Sequence, residues 1–491
     1  MFKVHCVGRQ LSLGDLSCLL CALLGLVILV SLPVWSWLPA ESWHDAQRTG
    51  QILIITLAIS IGVVSGAFRW QPYFVVRPVR RAIAVIAMLG LCSAALAHQP
   101  HWALVEWVTF WGSLGLGWMV VVTHHRFKSE DADRVLLASG FLVCGLLSIK
   151  FMTTYLATIL DATAPMDAWL LFSGFDNVRF FGQFSTLTLP LLAMPLLSGA
   201  WLGRFRYLVI SVFVLWWVQA IASGTRGTWL GMAVAAVGLA FSGRAGRRWA
   251  SMQMAGAASG LVACWILMDW LPSLMGLDVV RGPGDRLNAS LSGREAIWRQ
   301  AIEMIVHKPL LGFGPMHFAD IANPIAAHPH QAWLQWASEW GVPSAILVSG
   351  VVSYALWAAF RRLTAWSQAI EEGPNLYHCL VAAVLASLTQ GMVDGVLVMP
   401  YTETWLTIIS GWLLAIHWQE RMPRPDEAAC AQSYFVIGVT FILSAATLCA
   451  ILVRDYPTSW AQRRSQVYQN NQHFQPRFWV QGVIAKEVMP P

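Results

Sequence analysis

The sequence predicts an all-α integral membrane protein, a bundle of about thirteen transmembrane helices with one large polar loop. Three observations predict it. Of 491 residues, 57% are hydrophobic and only 12% charged, about half the charge of soluble domains, and the mean hydropathy is +0.56. The apolar runs approach the ~20 residues that cross the hydrocarbon as a helix, and the ten-residue alternation of a barrel is absent. Between two such runs, residues 273–341 gather arginines, four histidines and Gly/Pro turns. A membrane protein that places one large segment outside the bilayer usually does its chemistry there.

Thirteen apolar segments lie at about 16–38, 49–67, 82–98, 102–123, 135–160, 182–201, 207–222, 228–242, 251–272, 343–360, 376–398, 403–418 and 432–452. The first is long and ends without a small-residue cleavage site, so it reads as a retained anchor. Nine cysteines are scattered, mostly inside apolar runs. Cys18 and Cys21 match C-x-x-C, but within the first span, where packing fits better than redox chemistry.

Lys and Arg set the orientation. With Lys3 and Arg9 in the cytoplasm, the N-terminus and the loops at 69–81, 126–134, 204–206, 244–248, 361–362 and 421–424 hold 18 Lys or Arg. The short outer loops hold only Arg48, Arg179 and Arg226. Loop 273–341 and the tail from Arg454 then lie outside the cytoplasm, where there is no ATP or sugar-nucleotide pool. The tail carries Tyr468, Phe474, Phe478 and Trp479, which suit docking on the membrane surface. The 27 tryptophans, many near span ends, suit the interface.

Ser292-Gly-Arg294-Glu295 precedes an apolar periodic run and reads as a capping box, with Ser292 as N-cap. The helix predicted over 293–306 presents Ile297, Ala301, Ile302 and Ile305 to the membrane surface. Arg294 sits in its first turn, where a cation opposes the helix dipole; an anion bound by the free N–H groups would resolve that conflict. Arg226 begins the eighth span in the same way. In His328-Pro329-His330-Gln331, Pro329 suits the first helical position, which puts His330 in the first turn of a helix ending at Gly341. Three such helix starts suit a pyrophosphate. Loop arginines on lipid headgroups and a structural histidine are the alternative.

The run SGTRGTWLG at 223–231, then SGREAIWRQAIEMIVHKPLLGFGPMHF at 292–318 and AHPHQAWLQWASEWGVPSAIL at 327–347, resembles the shared core of the O-antigen ligase superfamily. That superfamily includes O-antigen ligases, O-antigen polymerases and O-linking protein oligosaccharyltransferases of bacteria. The resemblance covers about residues 170–420. It implies a GT-C-like bundle in which Arg226 and Arg294 hold an undecaprenyl-pyrophosphate donor and His330 activates the acceptor, with His328 as the competing histidine. Phe175–Gln183 is similar to a segment of some O-linking oligosaccharyltransferases, which makes Arg179 and Gln183 candidate substrate contacts. Histidine as general base near pH 7 and arginine as bidentate phosphate ligand agree with these roles.

Lys150, inside the fifth span, is a further candidate because intramembrane charges are costly; snorkelling or pairing with Asp394 is the structural alternative. Asp131-Ala-Asp133 matches D-x-D but falls in a charged cytoplasmic loop, and Asn288-Ala-Ser290 matches a glycosylation sequon by chance. The parts are then spans 1–5 (1–170), a catalytic core (171–425) and a last span with a short tail (426–491). The expected enzyme is an inverting glycosyltransferase of the bacterial inner membrane, needing no metal or other cofactor. Its partners would be the lipid-linked glycan donor, membrane lipids and a periplasmic hydroxyl acceptor: an exported protein such as pilin first, then lipid A-core, then a growing glycan. No nucleic acid is expected. A lipid-linked oligosaccharide flippase is the reading from another class, but it would line the bundle interior with charge rather than concentrate it in one loop.

The orientation is testable by labelling. Single cysteines at Asn288 and Asn471, in a cysteine-free background, should react with an impermeant maleimide in intact spheroplasts; labelling at Ser129 instead would reverse the topology.

Overall fold

The computed structural model describes residues 13–280, 293–419, 434–469 and 475–484, apart from 36–37, 39, 41, 70–74, 162–165, 168–169, 200–202, 204, 322, 369–373 and 483. Arg281, Asp285, Arg286, the Asn288–Ser290 sequon, Ser292, Arg421, Arg424, Asn471 and Phe474 lie outside the described residues, as do the side chains of Arg463, Arg464 and Tyr468.

A helix occupies each of the thirteen apolar segments. In chain order they are α1 (Leu13–Ser31), α2 (Trp43–Val64), α3 (Arg77–Ala95), α4 (Pro100–Arg126), α5 (Ser129–Asp161), α6 (Val178–Leu192) continued by α7 (Met194–Ser198), α8 (Arg206–Ala222), α9 (Arg226–Ala240) and α10 (Arg244–Trp265) continued by α11 (Leu271–Leu274). The loop contributes α12 (Arg294–His307) and α13 (Ala332–Trp340), and α14 (Val342–Gln368), α15 (Asn375–Gly391), α16 (Pro400–Trp418) and α17 (Tyr434–Gln469) follow. Among the described residues, eight helices are long and apolar enough to cross a membrane; α1 and α8 contribute shorter apolar stretches. A two-residue parallel pair, Met166–Asp167 with Val279–Val280, is the one departure from all-helical structure among the described residues. α17 runs well past the segment expected to end near 452, through Pro457 to Gln469.

α6 is buried along nearly its whole length, and its polar residues therefore need internal partners. Thr186 and Thr188 donate back to the Gly182 and Phe184 carbonyls at 3.0 Å. The last turn of α6 leaves carbonyls without intrahelical partners, and α10 supplies the donors: Gln253 Nε2 to Leu189 O at 2.9 Å and Trp249 Nε1 to Pro190 O at 3.2 Å. Small residues let α9 press against α6 and α15. Thr228 Oγ1 donates to Gly182 O at 2.8 Å, and a Cβ on Gly231 would lie 2.5 Å from the Ala386 carbonyl oxygen.

Contacts between helix ends fall into two sets. Arg126 donates to Ser65 O, Gln419 Nε2 to Ser129 Oγ, and Arg362 to His417 O, all at ends expected on the cytoplasmic side. Asp133 accepts from His124 Nε2 at 2.8 Å and Trp412 Nε1 at 2.6 Å, so half of the D-x-D match ties α4, α5 and α16 together. The other set joins His44, Gln99 and Asn323 to segment 475–484 and Arg48 to Val398 O, all expected outside. The expectation of a tail docked on the membrane surface is corrected: Arg477, Phe478 and Trp479 are buried within the protein, because Arg477 finds two carboxylates there and the flanking rings pack beside it.

Gly231→Val should destabilise the protein by about 1–3 kcal/mol through overpacking, read as a lower unfolding temperature in detergent. Gly350→Ala on α14, where a Cβ meets nothing within 4 Å, should not lower it. Equal behaviour of the two variants would contradict the close α9–α15 approach.

Candidate active site

Three helices carry an arginine in their first turn at ends expected outside the cytoplasm. Arg179 is the second residue of α6, whose N-cap Asn177 accepts from the Arg179 N–H at 2.9 Å. Arg226 is the first residue of α9, after N-cap Thr225. Arg294 is the first residue of α12. The expected capping box is corrected here: the N-cap is Gly293, in the left-handed conformation at φ 78° and without a side-chain cap. Only a residue without a Cβ turns the chain this way at little cost.

The three starts converge through a chain of packing. A Cβ on Gly182 would strike the Thr225 side chain, which places the first turns of α6 and α9 side by side. Gly227 lies against Gln390 of α15, with its would-be Cβ 2.9 Å from Gln390 Cγ. Gln390 Nε2 approaches Asp394 Oδ2 at 3.4 Å, and Asp394 Oδ1 stands 3.6 Å from His330 Nδ1. Trp298, one turn into α12, donates from Nε1 to Pro329 O at 3.0 Å, so the Arg294 helix is fastened to the His330 turn.

The electrostatics follow from this convergence. Burial holds the Arg294 guanidinium below its ordinary value; Asp394 pulls the other way, and Arg179 and Arg226 depress it further. Burial disfavours charge on Asp394 too, while the His330 ring 3.6 Å away, the Gly395 N–H at 2.8 Å and Arg179 favour the carboxylate. None of the three arginine side chains forms a hydrogen bond or ion pair among the described residues. Three guanidinium charges thus face one carboxylate, at helix starts whose free N–H groups already favour anions.

His330 departs from expectation. α13 begins at Ala332 with Gln331 as N-cap, its side-chain oxygen accepting from Leu334 N–H. His330 therefore precedes the helix and takes the left-handed conformation, φ 52°, where non-glycine residues are uncommon. Pro329 is not helical because the Gln331 cap satisfies the first turn in its place. His330 is partly exposed, with a side-chain accessibility of 18%. His328 is buried, its ring centroid 4.1 Å from that of His330, and its Nδ1 accepts from the His330 N–H at 3.3 Å. Burial first, then the charges of His330, Arg477 and His44, pushes it well below the ordinary histidine value, so it is neutral and part of the turn's support.

Of the remaining candidates, Gln183 lies one turn inside α6 from Arg179, buried, and its Oε1 has no hydrogen-bond partner among the described residues. Lys150 is not brought to the cluster or to Asp394. Its ammonium donates to Val34 O at 3.2 Å and lies 4.7 Å above the Trp43 ring, because those acceptors are within reach of α5 and Asp394 is engaged by His330. The α12 face is also corrected: Ile297, Ala301 and Met304 pack on Phe318, while Ile302 is exposed. Asp394 and Gln390 were missed as site residues. The available signal was a lone carboxylate at the end of an apolar run, a costly and functional placement. Among the described residues no group of three or more His, Cys, Asp or Glu could hold a metal ion.

A family model, Wzy_C, described as O-antigen ligase, matches residues 210–349. The matched stretch carries Arg226, Arg294 and His330; Arg179 and Asp394 lie outside it. The match supports membership of the O-antigen ligase superfamily. No curated protein matches the chain.

Proposed function

We propose, from the superfamily membership that this match supports, that the chain transfers a glycan from a polyprenyl pyrophosphate such as undecaprenyl pyrophosphate to a hydroxyl group on the periplasmic face of the inner membrane. The observation that carries the reading is the gathering of Arg179, Arg226 and Arg294 at three helix starts beside His330 and Asp394. The arginines bind the pyrophosphate and stabilise the charge that grows on it as the anomeric C–O bond breaks. His330 takes the acceptor proton as the new bond forms, and Asp394 stabilises the imidazolium. A single in-line displacement inverts the anomeric centre. In this scheme the guanidinium groups supply the positive charge that a metal would otherwise provide.

Thirteen crossings, with the N-terminus inside and the site outside, are the topology we adopt; the two sets of helix-end contacts support it. For the acceptor we favour a Ser or Thr of an exported protein such as pilin, since a helix and tail beyond the core resemble O-linking oligosaccharyltransferases. The description of the family model favours the second reading, ligation to lipid A-core. Deleting the gene should shift the mass of a pilin-like protein and leave lipopolysaccharide ladders intact. Loss of the whole ladder with unmodified core would transfer the assignment to the ligase, and retention of a single unit would indicate polymerisation.

The residue roles separate kinetically. Arg226→Ala or Arg294→Ala should weaken donor binding by about 1.5–3 kcal/mol, as for a lost hydrogen bond to a charged group, with only partial recovery by Lys because an ammonium lacks the bidentate fork. His330→Ala should still bind donor but lose about 100- to 10,000-fold in transfer rate, and His328→Ala should be milder. Wild-type transfer by His330→Ala with protein levels unchanged would remove the histidine from the mechanism.

A further inference from the structure

Among the described residues, the most deeply buried cation takes no part in that chemistry. Arg477 has a fully buried side chain, and its Nη2 donates to Glu339 Oε2 at 2.7 Å and to Glu106 Oε1 at 3.0 Å. Glu339 lies at the end of α13. One turn earlier, the Gln335 amide oxygen, in the orientation that satisfies both groups, accepts from Arg477 Nη1 at 2.9 Å. Arg477 therefore grips α13 at two successive turns, which fixes both the rotation and the height of the helix.

The rest of the segment is fastened from both sides. Arg48 donates from Nε to Phe478 O at 3.0 Å and from Nη2 to Arg477 O at 3.2 Å. Val480 N–H donates to Asp45 Oδ1 at 2.7 Å. On the loop side, Gln475 Nε2 donates to Asn323 O at 2.8 Å and Ile484 N–H to Ala319 O at 3.1 Å. Gly482 lies close enough to Ala327 that a Cβ on it would come within 3.0 Å of the Ala327 Cβ. Residues 323–327 lead directly into His328–His330, and α13 leaves directly from Gln331. The segment thus holds the chain on both sides of the left-handed His330.

We propose that residues 475–484 are a strap that sets the position of the His330 turn, with Arg477 as a positioning residue for the transfer reaction. The proposal rests on the catalytic reading of His330. His330 carries backbone strain, and such a conformation persists only where its surroundings over-determine it. The strap supplies that constraint, together with the Trp298 bond to Pro329 O from α12. Arg477 makes no contact with Arg179, Arg226 or Arg294, so it acts on the base and the acceptor rather than on the donor. Burial pushes the Glu339 carboxyl up to about 7 against the pull of Arg477, so the carboxylate that anchors α13 depends on this guanidinium for its charge.

The test uses the full chain, purified, with a lipid-pyrophosphate-linked glycan as donor. Arg477→Met keeps the apolar stem and removes the charge. It should bind donor within about threefold of wild type, lose about 10- to 100-fold in kcat as expected for a small misplacement of a catalytic group, and show faster amide hydrogen exchange across 323–340. Arg477→Lys should recover part of both losses. A folded Arg477→Met protein with wild-type kcat, with wild-type exchange, or with a loss confined to donor affinity overturns the proposal. If Arg477→Met does not fold, Glu106→Gln, which removes only one of the two carboxylates, is judged by the same outcomes. Absence of glycan transfer by the wild-type protein would instead overturn the proposed reaction, and the exchange measurement would then decide the strap alone.

Discussion

Arg179, Arg226 and Arg294 each lie in the first turn of a helix, and each helix start already presents N–H groups and the positive end of a dipole. Setting three such starts together concentrates positive charge where each component repels the others. Asp394 offsets one of the three charges; burial above all, and then Arg179 and Arg226, disfavour the charge on Arg294. The arrangement is consistent with a ligand that carries at least two negative charges. Much of the local structure serves this gathering: glycines at 182 and 227 permit the close approach of α6, α9 and α15, and Gly293 turns the chain into α12.

The histidine turn depends on the same frame. Asp394 follows the end of α15, the helix against which α9 packs, so the carboxylate beside His330 is carried by the element that also orients Arg226. Trp298 ties the Arg294 helix to Pro329. Movement of any one of these helices would alter both the anion cluster and the base. A neutral, buried His328 then serves the His330 backbone N–H as acceptor, a use of histidine that needs no titration.

Widely separated in the sequence, Arg48, Glu106, Glu339, Glu403 and Arg477 form a second, largely buried set of ion pairs. Such networks add little net stability compared with apolar packing, yet removal of one member leaves an uncompensated charge and is strongly destabilising. Their worth lies in specifying one arrangement. Here the arrangement fixed is the register of α13 against α2, α4 and segment 475–484.

The thirteen helices were legible in the sequence because apolar runs between short polar breaks leave the chain few other structures, although only eight of the described helices are long and apolar enough to cross the hydrocarbon. Arg226 and Arg294 were legible as helix-start residues because small-residue turns and an apolar period mark those starts locally. The end of α13 at Gly341 was legible for the same reason. The sequence pointed to Pro329 as the start of α13, whereas the N-cap is Gln331, a residue type without a strong capping signal, so the start depends on what holds the chain before it. The sequence could not assign Asp394, whose partner is either Lys150 or His330 depending on how α5 and α15 are placed. The burial of Arg477 was equally illegible: its carboxylates lie 371 and 138 residues away, and no local pattern reports a contact at that separation. Local chemistry determined the helices and most of their starts, and tertiary packing alone decided which of those starts share one electrostatic site.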